Sequence, residues 1–557
     1  MRRTAVIAAL SAVLLTGGVI SGWASAAAPA AARGIAAHAD AGHPGNGAKT
    51  SITERVCDGL ADASVPAKEI GLPTTGATVT KTTWVVDGRV GQCQVVGDIL
   101  PVDPQAPPIE FQVNLPANWN HRALQLGGGG YDGSLVTGLG TYPLQPAGQK
   151  TPLQQGFVTL GSDGGHKGSG GFDSTFGLND EALANYGTES IKKTHDVAMV
   201  LMKRTFRATP KYFYFIGFSQ GGHEAINAAG LYPKDYDGVV AGTPSYNVAM
   251  MHAGIGSVYR DALYADGGAG WLNPAKTQLL VKAVYRACDG LDGLSDGVIS
   301  NVRACQQTFD VTTLRCAAGA DTGDTCLSDA QIRAVTEIAS PHNIGFPIEG
   351  NAVAAGAPIL YGGTYTVFTL GTVSQPANPA SGKEAFQYSV LNALATNIVT
   401  RDPNYDTRTF NLNEWADRIQ KVGEQLDSTS VDLSTFARRG GKMILTTGLA
   451  DDGISPENTI QFYQRQAAAF GGRLGSFLKF YTMPGFSHGF GPYSVTYDAL
   501  PALMNWVEKH KAPTHLHTID ANAANNGRTR PLCEYPSWPK FTGHNPDKAS
   551  SFTCVTP

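Results

Sequence analysis

The chain of 557 residues is short of charge: only 16% of it is Asp, Glu, Lys or Arg, and the formal net charge is −4. So small an excess of one sign leaves no electrostatic footprint for nucleic acid or an anionic membrane surface. None of its eight cysteines forms a Cys-x-x-C pair, which argues against a zinc site. The glycine run at 127–130 is not followed by Gly-Lys-Ser/Thr, which argues against a phosphate cradle. Internal repeats are missing, and beyond residue 26 no run is apolar enough to span a bilayer. What is left is a globular composition, 42% hydrophobic with 66 glycines for loops and tight turns. The length allows a large core plus an inserted or second domain.

The N-terminus carries the first positive signal. Arg2 and Arg3 precede AVIAALSAVLLTGGVI, and ASA at 24–26 offers the small residues a signal peptidase requires. Residues 1–26 are expected to be a secretory signal and 27–56, rich in Ala and Gly, a disordered leader. An uncleaved anchor is the alternative, disfavoured because the apolar run is short and interrupted by glycine. The expected location is therefore outside the cell, soluble, with no membrane partner after cleavage. In an oxidising compartment an even cysteine count argues for disulfides, although sequence alone leaves the pairing open. The cysteines fall in local groups: Cys57 and Cys93, Cys288 and Cys305, Cys316 and Cys326, Cys533 and Cys554.

From 57 to 246, short apolar runs alternate with helical patterns. IEFQVNLP, HRALQLGG, FVTLGSD, KYFYFIG and GVVAGTP read as strands, and TESIKKTHDVAMVLMKRTF as a helix. The pattern resumes in 440–557 with KMILTTG, SFLKFYTMPG and the helix ALPALMNWVEKH. This alternation predicts an α/β fold with a mostly parallel sheet covered on both faces. Residues 247–439, with Asp-Gly turns and long Gly- and Pro-rich loops, are expected to form a large inserted lid domain.

FIGFSQGGHEA at 215–225 places Ser219 in G-x-S-x-G at a strand-to-helix junction. That is the context of a nucleophile elbow, where flanking glycines let strand and helix approach a strained serine. An ordinary glycine turn is the bland alternative. A serine hydroxyl needs a histidine base and an acid to orient it. In α/β-hydrolases these follow in the order Ser, Asp or Glu, His, each after a strand. KMILTTG runs into LADDGISP, offering Asp451 or Asp452, and FLKFYTMPG runs into FSHGFGP, offering His488. His510 lies in an apparent helix, and His515, His517 and His544 follow no strong strand. The backbone of Gln220 is one expected donor to an oxyanion, and Gly129 and Gly130 in LQLGGGGYDG could supply the other.

CDGLDGLSDGVI holds Asp289, Asp292 and Asp296, three carboxylates spaced by three and four residues. Such a loop could wrap calcium, although it is not an EF-hand, and three solvated Asp-Gly turns explain the spacing equally well.

Taken together, GGGGYDG, SDGGH, GFSQGG with YPKDYDGVVAGTP, CDGLDGLSDGVI, GLADDGISP and FSHGFG resemble the tannase and feruloyl esterase family of secreted α/β-hydrolases. The resemblance covers most of the chain after Cys57. It implies Asp451 as the acid, because the family's acid stands three residues after the glycine ending its strand, here Gly448. It also implies a structural calcium held by Asp289, Asp292, Asp296 and the carbonyls of Leu294 and Val298, with disulfides joining the four local cysteine groups. No organic cofactor is implied. The family usually has cysteines beside nucleophile and histidine, tied to each other; here Phe218 and Gly489 stand in those places. His223 also stands where the family often has arginine.

The function expected is hydrolysis of small aromatic acyl esters by a secreted serine esterase. The competing expectations are an exopeptidase on the same fold and a non-catalytic binding protein on a degenerate one.

Overall fold

The computed structural model describes residues 50–557 except 89, 170 and 526. The expected signal at 1–26 and most of the expected leader lie outside the described residues. Part of the expected leader does fall within the described residues, and over 50–56 it is paired and packed rather than disordered. Thr50–Ser51 pairs antiparallel with Asn118–Trp119, and Ile52 is buried. A helix, Glu54–Asp58, then carries Cys57 into its disulfide with Cys93. Backbone pairing and this apolar anchor order a segment whose composition reads as leader.

A ten-stranded sheet dominates, in the order Leu478–Met483, Lys442–Gly448, Gly238–Gly242, Tyr212–Phe218, Arg122–Leu126, Val158–Ser162, Ile109–Pro116, Val90–Leu100, Gly76–Asp87, Ser64–Val65. The first six are parallel to one another. The remaining pairings are antiparallel, from Ile109–Pro116 outward. The long hairpin of Gly76–Asp87 and Val90–Leu100 is absent from the sequence reading. Its strands are joined too closely for a helical crossover, so they can pair only antiparallel.

The parallel strands are buried on both faces because apolar residues stand at both parities. Phe213, Phe215, Val239, Ala241, Met443 and Leu445 join one core, with Val197 and Leu201 of the helix Ser190–Phe206 and Ile226 of the helix Gln220–Gly230. Their alternates Tyr214, Ile216, Val240 and Ile444 join the other, against Leu500, Leu503 and Trp506 of the helix Ala499–Lys509. Each such large side chain contributes about 1.5–3 kcal/mol on leaving water. This is an α/β-hydrolase sheet, mostly parallel where the site is built.

Between Gly238–Gly242 and Lys442–Gly448 the chain is largely helical, including Gly256–Gly268, Pro274–Cys288, Asp329–Ala339 and Phe386–Ala393. Leu263, Leu280, Val335, Leu391 and Val422 form its core together with Tyr131 and Tyr186 from the first part of the chain. Leu433 and Phe436 return to the sheet's core. Disulfides join Cys57 to Cys93, Cys288 to Cys305, Cys316 to Cys326 and Cys533 to Cys554, the pairing the resemblance implies.

Candidate active site

Tyr212–Phe218 ends at Ser219, whose φ of 62° and ψ of −121° lie outside the regions L-residues favour. The turn is this tight because strand and helix nearly touch: a Cβ on Gly217 would sit 2.0 Å from the Gly221 carbonyl oxygen, and one on Gly222 2.5 Å from that of Gly242. Only glycine permits that approach. The Ser219 amide donates to Gly242 O at 2.9 Å, which pins the strained residue to the neighbouring strand.

Asp451 follows Lys442–Gly448, and His488 follows Leu478–Met483, both at the same sheet edge as Ser219. His488 Nε2 lies 2.9 Å from Ser219 Oγ, and His488 Nδ1 lies 2.8 Å from Asp451 Oδ2. Asp451 is fully buried, and its other oxygen accepts the amides of Gly453 at 2.9 Å and Ile454 at 2.8 Å. Those two bonds aim the carboxylate at the histidine. Its neighbour points elsewhere: Asp452 Oδ1 accepts Ser487 Oγ at 2.8 Å. Burial, reinforced by the Asp451 charge, pushes Asp452 up to about 7. Burial opposes an imidazolium at His488, but the charge and hydrogen bond of Asp451 outweigh it, with help from Asp452, and the net shift is upward. The ring keeps 29% of its side-chain surface exposed, enough for substrate to reach it.

Phe218 and Gly489 hold the places of the family's tether. The Phe218 ring packs on His488 with centroids 5.0 Å apart and edge-on to Phe486 at 6.2 Å. Aromatic packing supports the histidine loop here.

Gln220 opens the helix after Ser219, where a first-turn amide has no intrahelical acceptor. Across from it, the glycine run is stitched down at one end: Gly127 N donates to Ile216 O at 3.1 Å and Gly128 N to Glu224 Oε2 at 2.9 Å. The amide of Gly129 lies toward the Asp132 carboxylate, and that of Gly130 makes no backbone hydrogen bond among the described residues. Gly130 has φ +62° and no room for a side chain, since a Cβ would meet Gly171 O at 2.0 Å.

Sequence reading missed two features of this site. Beneath the glycine run lie the buried Asp132, Asp163, His166 and Glu224. The SDGGH and YDG motifs contain three of them, and a glutamate within a small-residue helix was the signal for the fourth. The second is an aromatic ladder from Tyr131 through Phe172 and Phe386 to Phe368, with centroids 5.8, 5.2 and 5.1 Å apart. Phe386 also reaches the acid loop, 3.8 Å from where a Cβ on Gly453 would stand. Phe172 and Phe368 are 43% and 58% exposed, and Phe490, two residues after His488, 51%. Concavities of about 480 and 680 Å³ open elsewhere, on the helical segment, lined by groups such as Trp271 and Asp321 or Arg260 and His342.

The Asp-Gly loop makes no hydrogen bond with Ser219 among the described residues, and its Val298 packs on the histidine loop, 3.1 Å from where a Cβ on Gly485 would stand. Asp289 accepts Gly297 N at 2.9 Å, Asp292 accepts Leu294 N at 3.1 Å and Ser300 N at 3.3 Å, and Asp296 accepts Val298 N at 3.2 Å. Burial pushes Asp292 up to about 6 and Asp289 in the same direction, and the Asp296 charge adds to both. All-oxygen donors that repel one another suit a hard divalent cation. Asp296 also pairs with Arg528 at 3.3 Å and Arg530 at 2.5 Å. Among the described residues, only His195, Asp196 and Asp235 bring three ligating atoms within 4.8 Å of one another. Lys192 already bridges the two carboxylates of that trio, at 2.6 and 3.0 Å.

Comparison with known proteins places this geometry among relatives. A profile of the family described as tannase and feruloyl esterase matches residues 93–555. An uncharacterized esterase of Agrobacterium fabrum is 37% identical over 527 residues, covering 90% of this chain and 93% of the relative. A mono(2-hydroxyethyl) terephthalate hydrolase of Piscinibacter sakaiensis is 32% identical over 519 residues, covering 84% and 85%. Among solved structures, feruloyl esterase B of Aspergillus oryzae superposes with a TM-score of 0.73 at 21% identity, over 90% of this chain and all of the other. Tannin acyl hydrolase of Aspergillus niger does so with 0.64 at 19%, over 91% and 95%. At those identities the structural likeness speaks for the fold.

Proposed function

The chain belongs to the tannase and feruloyl esterase family and is a carboxylic-ester hydrolase, and on that premise we propose that it cleaves aromatic acyl esters through a covalent Ser219 acyl-enzyme. The observation that carries this reading is the unbroken chain Ser219 Oγ, His488, Asp451, assembled from loops after separate strands.

The steps follow from the positions. Ser219 Oγ attacks the ester carbonyl carbon while His488 Nε2 takes the hydroxyl proton. Asp451 holds the ring by Nδ1 and stabilises the imidazolium. The negative charge moves to the carbonyl oxygen, where the amides of Gln220 and Gly130 donate to it. On collapse the C–O bond breaks, and His488 returns its proton to the departing alcohol oxygen. Water then repeats the sequence on the acyl-enzyme and releases the acid and Ser219.

An aromatic acyl group is supported by Phe172, Phe386 and Phe368, whose rings run in contact from beside Tyr131 to Phe386 near the acid loop, with Phe172 and Phe368 well exposed. The hydrolase of mono(2-hydroxyethyl) terephthalate and the feruloyl esterases among its relatives carry aromatic acids in their names. Export is supported by the four disulfides, which persist in oxidising compartments. No helix among the described residues is long and apolar enough to cross a membrane. Calcium would be held by Asp289, Asp292, Asp296 and the carbonyls of Leu294 and Val298, where it would neutralise mutually repelling carboxylates and stiffen the loop.

The test is a panel of feruloyl, galloyl, terephthaloyl and simple aliphatic esters on the purified protein, with a fluorophosphonate probe mapped by mass spectrometry. Faster turnover of the aromatic esters and an adduct on Ser219 are expected. Preference for aliphatic esters would overturn the acyl assignment, and an unlabelled Ser219 the nucleophile.

A further inference from the structure

Two buried carboxylates under the glycine loop take no part in the steps above. Glu224, on the helix after Ser219, accepts the Gly128 amide at 2.9 Å. Asp132 has both side-chain oxygens buried with no hydrogen-bond partner among the described residues. The Gly129 amide lies near enough to favour the charge on Asp132, though outside hydrogen-bonding geometry. Both acids press on consecutive glycines: a Cβ on Gly127 would lie 2.5 Å from Glu224 Oε2, and one on Gly128 2.0 Å from Asp132 Oδ1. Gly164 closes on Asp132 from another side, where a Cβ would lie 2.7 Å from Oδ2.

Among the described residues, nothing facing the pair supplies positive charge. Asp163 is itself held by Lys167 at 3.1 Å, and adds its own negative charge toward Asp132. Tyr131, Tyr186 and Tyr236 surround the site as phenols, and burial raises all three. Nearby His166 and His252 are pushed down by burial, to about 4 and about 3, and so stay neutral. Two carboxylates against the same backbone in a low-dielectric interior cannot both ionise at little cost. Burial, then the charge of Glu224, drives Asp132 well above the ordinary carboxylate range, and burial raises Glu224 to about 7 against the pull of its Gly128 bond.

We propose that Asp132 and Glu224 are a positioning pair that retains one proton between them and clamps residues 127–130, so that the free amide of Gly130 stays aimed at the ester's carbonyl oxygen. This rests on Ser219 being the nucleophile. Neither acid touches substrate. With one proton the pair carries a single charge, and Glu224 keeps an oxygen for Gly128. When that proton leaves at alkaline pH, two like charges repel beneath the loop, the donor loses its aim, and kcat falls.

The experiment uses the full-length protein. An infrared difference spectrum, wild type minus Asp132→Asn at neutral pH, should show the loss of a protonated-carboxyl band. Glu224→Ala should lower kcat about tenfold with KM changed less than about twofold, because a donor loosened costs less than a donor removed. Glu224→Gln, which keeps an acceptor for Gly128, should recover the greater part. The alkaline fall of kcat should move or vanish in Asp132→Asn and Glu224→Gln. A purely structural pair would lower thermal stability and leave that limb in place. If Glu224→Ala fails to fold, the infrared band and the limb in the other two variants decide. The inference is overturned if no protonated band is lost, or if the limb is unchanged in both. Failure of the underlying reading shows separately, as a fluorophosphonate adduct on a residue other than Ser219.

Discussion

Two loops of this protein are built from the same materials and differ in what faces them. The acid loop reads DDG and the loop at 288–300 reads DGLDG and SDG, and both bury aspartates whose oxygens accept backbone amides. At Asp451 the free oxygen meets an imidazole brought from 37 residues away, which in turn meets a strained serine. At Asp289 and Asp292 the neighbouring charge is another aspartate, and both are raised. An aspartate opposite a base orients that base; aspartates opposite each other are the donor set proposed above for calcium. The turn chemistry is shared, and the partner decides the use.

The first way to break this comparison is at the serine. Ser219→Ala should cost on the order of 10⁴-fold or more in ester turnover, since the three residues act as a unit. Its melting temperature should stay close to that of the wild type, and turnover at the wild-type rate would remove Ser219 from the mechanism.

The adjacent aspartates give a sharper contrast. Asp451→Asn should lower kcat about 10³-fold, whereas Asp452→Asn, facing Ser487, should change it less than about tenfold. Equal losses would mean that the two share the role. The pH profile adds a sign. Only neutral His488 can take the serine proton, so kcat/KM should rise with pH, with a midpoint above the ordinary imidazole value. In Asp451→Asn the charge that raises His488 is gone, so the midpoint should fall; an unmoved midpoint would separate that limb from His488.

Phe218 tests whether packing replaces the missing tether. Phe218→Ala should reduce kcat about tenfold by loosening His488, because small misplacements of catalytic groups are costly. The half-buried ring should cost about 1–2 kcal/mol in denaturant unfolding, less than a fully buried Phe. Unchanged kcat with lowered stability would confine the ring to the core.

The smallest effect belongs to the second loop. Chelation should lower the melting temperature by a few degrees, with calcium restoring it and the ester rate at 25 °C within about twofold, because an ion that binds only the native state shifts stability by mass action. Asp292→Asn should abolish that response. A melting curve indifferent to chelator, with no calcium by elemental analysis, would leave the loop as hydrogen-bonded turns.

Much of this was legible in the residues. The strand runs at 212–218, 238–242 and 442–448 stand where apolar patterning puts them, and the glycines around Ser219 announce a close approach. Such features depend on sterics and periodicity within a few residues, so a linear reading recovers them. The hairpin at 76–100, whose β-branched run flanks an Asp-Gly turn, lies outside what strand–helix alternation signals, because that alternation marks parallel strands only. Which of Asp451 and Asp452 faces the histidine is different in kind. It depends on amides at 453 and 454 holding one oxygen, and on a loop delivered by another strand. Likewise Asp132 and Glu224, 92 residues apart by number, become a pair only because the serine helix packs against the glycine run. The sequence by itself determined the sheet's parallel half, the elbow and the order of the candidate triad, since backbone geometry follows from local residue size and polarity. Only the tertiary structure decided which carboxylate meets which partner, because side-chain direction and charge in a buried site are set by groups that the chain brings together from afar.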